Sequence, residues 1–335
     1  MNCKLDIHNL DPEDRATSIL YATHDYIVYQ ERNGLVLASC DGTRLSDIII
    51  AVDYLHYECL DLGDALLFMF SGSEILVLDK SGTTPVKHKL NPTTLGRCIS
   101  KIYHLPDNQI VFGTQQKQRI QFANYDFINQ VRVAQTASWN ASVITDTLLV
   151  GNVLYAVLDK SIIVATDMST GEILWTKFET AEVVPGLATY DKYLLYSCHG
   201  MLKKTDGEET HLIRIPLISV SSILHATDHE IFMTSNESKN IICYSLISDK
   251  LKWEIFGNDP IRENVLVKSS EGADIMAIRT DKYIALIDIS AGKSEYNIKT
   301  NNIARLRQTG DHLLIQKSTG TSTLVPGVNN AGDLG

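Results

Sequence analysis

The chain has 335 residues, with 30 Lys+Arg against 40 Asp+Glu and a formal net charge of −10. That acidic balance lacks the basic face of a general nucleic-acid binder, so nucleic acid is not an expected partner. Hydrophobic residues at 44% and charged residues at 21% suit a packed globule and exclude a wholly disordered chain.

The chain opens on a strand candidate at residues 1–10, ending CKLDIHNL. Asp6, Asp11, Glu13 and Asp14 stand where a signal peptide would be apolar. Residues 11–17 form the one helix candidate, with Pro12 suited to a first turn. The longest dense apolar run is residues 65–70, whereas a membrane span needs about 20 residues. The expectation is a cytoplasmic protein (or a virion component, for a viral gene) with no direct membrane insertion. Cys3, Cys40, Cys59, Cys98, Cys198 and Cys243 include no CxxC pair and read as free thiols in a reducing compartment.

One pattern then recurs to the end. A polar residue opens a short apolar strand at Asp25, Asp64, Asn108, Asn152, Asp191, Asp228, Asp274 and Asp311. The mean interval is about 41 residues, the period of four-stranded propeller blades. The fourth repeat shows the internal order: ASVITDTLLV, VLYAVLD, SIIVATD and EILWTKF are strand candidates separated by GN and STG turns. The expected fold is a single all-β domain, 1–335, an eight-bladed β-propeller of four-stranded blades. Seven blades is the alternative, because QQKQ in the third repeat reads as an insertion. The blades are expected at 17–53, 54–90, 92–136, 141–178, 181–216, 220–256 and 263–298. A composite blade at 304–328 has three strands of its own and takes residues 1–10 as a closing clasp. Stacked blades bury each other's faces, and closure removes the two open ends.

Residues 165–175 read ATDMSTGEILW. With Ala165, Asp167, Thr170, Gly171 and Trp175, this resembles the PQQ-like repeat of quinoprotein-type, WD40-like propellers. A decayed copy ends at Trp253, 78 residues after Trp175, and another keeps Asp288 and Gly292. The resemblance implies structural roles. Gly171 supplies a positive-φ turn position. Asp167 and Thr170 bond turn amides. Trp175 packs between blades with its indole N–H bonded to a neighbour. Catalytic quinoproteins also carry vicinal cysteines and a calcium-binding carboxylate set. The sequence has neither a CC pair nor a D-x-[DN]-x-[DN]-G loop, so no quinone or other cofactor and no metal is expected.

No P-loop, G-x-G-x-x-G or G-x-S-x-G occurs, and no catalytic residue is assigned. His225 and His229 fall between strands rather than on a helix, and KKTDGEE reads as a solvated hairpin tip. Candidate partner-binding residues are Trp139, outside the strand pattern, and the alternating pair Arg305 and Arg307. Packing over a blade edge is the other reading of Trp139. The expected function is a non-catalytic protein-interaction scaffold or a structural subunit binding other protein subunits, in several symmetric copies if it serves an assembly. A bacteriophage tail nozzle or hub component fits that pattern by fold analogy. A hydrolase or lyase with a central-channel site is the alternative, and it needs acids or histidines converging on the axis.

Overall fold

The computed structural model describes residues 18–22, 26–31, 34–39, 44–49, 57–62, 65–70, 74–79, 86–89, 97–215, 218–235, 237–268, 273–299, 303–309, 312–317 and 322–325. They form strands and turns, with no helix among the described residues. The clasp at 1–10 and the helix candidate at 11–17 lie outside them.

The strands group into antiparallel sheets in chain order. The first sheet holds β1 (Ser18–Ala22), β2 (Tyr26–Glu31), β3 (Gly34–Ser39) and β4 (Arg44–Ile49). The second holds β5 (Tyr57–Asp61), β6 (Ala65–Phe70), β7 (Glu74–Asp79) and β8 (Val86–Lys89). The third holds β9 (Arg97–Leu105), β10 (Gln109–Gln116), β11 (Arg119–Asp126), β12 (Val131–Gln135) and the short β13 (Trp139–Asn140). The fourth holds β14 (Ile144–Val150), β15 (Val153–Leu158), β16 (Ile162–Asp167) and β17 (Ile173–Phe178). The fifth holds β18 (Val183–Tyr190), β19 (Tyr193–Cys198), β20 (Met201–Thr205) and β21 (Thr210–Ile213). The sixth holds β22 (Val220–Ala226), β23 (Glu230–Ser235), β24 (Asn240–Ser245) and β25 (Lys250–Ile255). The seventh holds β26 (Glu263–Lys268), β27 (Asp274–Arg279), β28 (Tyr283–Asp288) and β29 (Lys293–Lys299). The last holds β30 (Ile303–Thr309), β31 (His312–Lys317) and β32 (Ser322–Val325).

The expectation of eight four-stranded blades, and its seven-blade alternative, is corrected by this strand census. Among the described residues, six sheets are four-stranded blades; of the other two, one has five strands and the last has three. The cause in the third sheet is local. β13, carrying Trp139, pairs with β11 beside the stretch that β12 occupies, which makes five strands. QQKQ is no insertion between strands: it is the tip of a hairpin whose arms, β10 and β11, run eight residues each.

In the fourth sheet the second and third strands read as near-continuous apolar runs because both of their faces are covered. VLYAVL and IIVATD are buried along most of their length, while β17 beside them is largely exposed. Contacts divide the chain into two compact units. One, residues 54–78 and 86–254, has a hydrophobic seam between each pair of consecutive sheets. Leu67, Ile110 and Phe112 fill one seam, and Val111, Phe122, Leu154 and Val164 the next. Val157, Ile163, Leu194 and Tyr196 fill a third, and Leu195, Ile223, Ile231 and Ile242 a fourth. In the other unit (1–53, 79–85 and 255–335), Ala277, Ile284 and Leu286 pack on Leu306, Leu313 and Ile315.

A one-residue bulge recurs near the start of the fourth strand. Leu45, Val133, Leu174 and Glu295 are each left over in the pairing with the third strand. A bulge on an outer strand twists it and blunts edge-to-edge pairing.

Candidate interaction surface

The turn that precedes the fourth strand is built on one polar side chain. Asp167 Oδ1 accepts from the backbone N–H and the hydroxyl of Ser169, at 2.7 and 2.6 Å. These bonds, the hydroxyl's first, hold its carboxyl below the usual range. Gly171 N–H donates to Asp167 O at 2.7 Å, and Gly171 sits at φ +82°. Thr170 Oγ1 accepts from Glu172 N–H at 3.2 Å. Asp288 repeats the pattern, accepting from Ser290 and Ala291, with Gly292 at φ +64°. Two more copies have no glycine. Asp126 accepts from Ile128 and Asn129 before Gln130 at φ +58°, and Ser245 accepts from Ser248 before Asp249 at φ +56°.

Ala165 is fully buried and pairs directly with both Tyr155 and Trp175. Its small side chain leaves room for the two rings, whose centroids lie 6.0 Å apart. Trp175 is half-buried, and Gly207 of the next blade, at φ +102°, has no room for a Cβ against the indole. Trp253 packs on Phe232 at 5.8 Å, and its buried indole N–H has no hydrogen-bond acceptor. The hairpin tip of KKTDGEE is held by Asp206, which accepts from Glu208 and Glu209 N–H and pairs with Lys192 at 2.9 Å. Those bonds, led by that from Lys192, hold the Asp206 carboxyl at about 2. His225 stacks on Phe232, and His229 lies in a turn.

Trp139 is half-buried rather than freely exposed, with its ring 5.6 Å from Phe122, so its placement is that of a packing residue. Arg305 and Arg307 sit on β30 on either side of buried Leu306, in register with Gln316 and Leu314.

Sequence reasoning missed the polar groups that join consecutive blades. Glu179 follows β17, and its side chain is only 7% exposed. It accepts from Tyr196 OH at 2.5 Å and from Lys203 Nζ at 2.7 Å, both on the next sheet. Burial works to raise its carboxyl, but these bonds outweigh burial and the net direction is down. Burial, then Glu179 itself, pushes the Tyr196 phenol up. Cys198 beside them is a buried free thiol raised by burial, which makes it a poor nucleophile. Other blade-to-blade bonds are regular. Tyr103 OH donates to Thr147 O at 2.5 Å, and Asp146 Oδ2 accepts from Gly186 and Leu187 N–H at 2.7 and 3.1 Å. In the other unit, Glu263 Oε2 accepts from Leu306 N–H at 2.7 Å. For Asp146 and Glu263, a carboxylate 40 and 43 residues upstream of the amide it holds was the available signal.

The outer strands carry exposed apolar side chains. Val131 and Val133 stand on β12, Ile173, Leu174 and Phe178 on β17, Leu212 on β21 and Leu251 on β25. Phe178 is 73% exposed, three residues after Trp175. Phe256 is 78% exposed, three residues after Trp253. In both places the tryptophan is half-buried against its blade and the phenylalanine faces solvent. Among the described residues no cluster of His, Cys, Asp and Glu could hold a metal ion, and no helix is long and apolar enough to cross a membrane.

No protein-family model and no curated protein sequence matches the chain. Solved structures do. The computationally designed Ika8 protein is similar with a TM-score of 0.67 at 13% identity, over 94% of this chain and 97% of its own. BamB from Moraxella catarrhalis is similar at 0.62 and 13%, over 92% and 98%. Saccharomyces cerevisiae Sqt1 is similar at 0.65 and 11%, over 95% and 96%. The C-terminal WD40 domain of Sif2 is similar at 0.62 and 11%, over 95% and 98%. At these identities the likeness establishes the fold alone, an all-β β-propeller.

Proposed function

We propose that this chain is a non-catalytic protein-interaction scaffold that binds other protein subunits through its outer strands. The observation that carries the reading is the exposed apolar series on β12 and β17, with Phe178 the most exposed of it. Exposed apolar patches on soluble proteins mark contact surfaces, and aromatic residues concentrate binding energy. The WD40-like fold is compatible with this role. A subunit of a larger symmetric assembly, in the cytoplasm or in a bacteriophage tail, is the narrower form of the same reading.

Native purification from the source, followed by size-exclusion chromatography with mass measurement, tests it. A fixed-stoichiometry complex that Phe178→Asp dissolves and Lys204→Glu leaves intact supports the scaffold and its outer-strand surface. A chain that elutes only as a free monomer, or a purified chain that turns over a small molecule, overturns it.

A further inference from the structure

We propose that the seam between the β9–β13 sheet and the β14–β17 sheet is an internal hydration site, where one ordered water links Asn124 to Thr166. Both residues are fully buried. Asn124 Nδ2 donates to Gln109 Oε1 at 2.7 Å and to Met168 O at 2.9 Å. Its two amide hydrogens are thereby committed, which fixes the orientation of the amide. Its Oδ1 is left buried with no donor, and Thr166 Oγ1 is buried with no partner of any kind. The two oxygens are therefore not bonded to each other.

Strand alternation puts both side chains on this one seam. On β11, Ile120 and Phe122 belong to its apolar cluster, and Asn124 takes the next alternate position. Val111, directly opposite Asn124, belongs to the same cluster. On β16, Thr166 lies between Val164 and Met168, both members, and opposite Leu154, a third. The Asn124–Met168 hydrogen bond shows that the two sheets touch at this level.

A buried carbonyl oxygen with no donor is strongly unfavourable, and such groups are met by internal water. Water donates to Asn124 Oδ1 and can either donate to or accept from the Thr166 hydroxyl. The groups that face the site from both sheets (Asn124, Thr166, Gln109 and the Met168 carbonyl) are uncharged, which fits a neutral ligand. Gln109, which holds one of the Asn124 amide hydrogens, is half-buried.

A high-resolution crystal structure of the whole chain tests this, together with Thr166→Ser and Thr166→Val. The expected result is a density peak within roughly 2.6–3.2 Å of both oxygens. The peak persists in Thr166→Ser, disappears in Thr166→Val, and its loss lowers the melting temperature. A direct Thr166–Asn124 hydrogen bond with no peak between them overturns the proposal. So does a peak that touches only one of the two oxygens, or one unchanged in Thr166→Val. If Thr166→Val does not fold, the parent and Thr166→Ser crystals still decide between these outcomes.

Discussion

The β14–β17 sheet has a seam on each face, and the two are built from different chemistry. On the β9–β13 side, Phe122, Val164 and Met168 surround neutral polar groups, Asn124 and Thr166. On the β18–β21 side, Ile163, Leu194 and Trp175 surround a carboxylate, an ammonium, a phenol and a thiol. Val164 and Ile163 are adjacent in sequence and serve opposite seams. The two seams share only an apolar middle, so that middle is what stacks the sheets. The polar groups are additions that differ from seam to seam and set how each one responds to charge.

Removing the carboxylate is the most damaging way to break the comparison. Glu179→Ala leaves Lys203 in a mostly buried site without its partner, and the expected loss is about 3 kcal/mol in a urea melt. Glu179→Gln, which keeps a partner for Tyr196, should lose less. Acid sharpens the same contrast. The Glu179 carboxyl is held low in the folded chain, so its contribution is whole above the unfolded value of about 4.3 and is lost as pH falls below it. Melting temperature followed from pH 6 downward, roughly to 3, should fall less steeply in Glu179→Gln than in the parent. Asn124→Ala and Thr166→Val in the neutral seam should leave that slope unchanged.

Gly207→Ala drives a methyl group into the Trp175 ring at a φ that side chains rarely adopt, and should cost about 2 kcal/mol. Asn124→Ala removes two hydrogen bonds from the neutral seam, and about 1–2 kcal/mol is expected. A value for Asn124→Ala as large as that for Glu179→Ala would erase the distinction between the seams. Phe178→Ser, at the exposed end of β17, should change stability by less than about 0.5 kcal/mol. If it costs more, Phe178 is a packing residue and the outer-strand surface is misassigned.

The strands were legible in the sequence wherever both faces are covered, because VLYAVL, IIVATD and YLLYSC admit no other reading at that length. The turn at Asp167 and Gly171 was legible for the same local reason, as was the turn at Asp288 and Gly292. Its copies at Asp126 and Ser245 were not, because Gln130 and Asp249 take the left-handed position without the glycine that would flag it. The number of strands per sheet was illegible too. β13 is two residues long, and pairing to β11 rather than any local pattern makes it a strand. Glu179 was missed because a glutamate after a strand reads as a solvated charge, and its partners lie 17 and 24 residues downstream on another sheet.

The bonds between blades also have a direction along the chain. Asp146 holds the amides of Gly186 and Leu187, Glu263 holds that of Leu306, and Tyr103 reaches Thr147. In each case the side chain comes from the earlier repeat and the backbone group from the later one. A ribosome releases the chain from its N-terminus, so each side chain is in place before the main-chain group it will hold has been made. Each of these later repeats therefore emerges after the side chain that will hold it, which favours assembly one sheet at a time over collapse of a complete but unstructured chain.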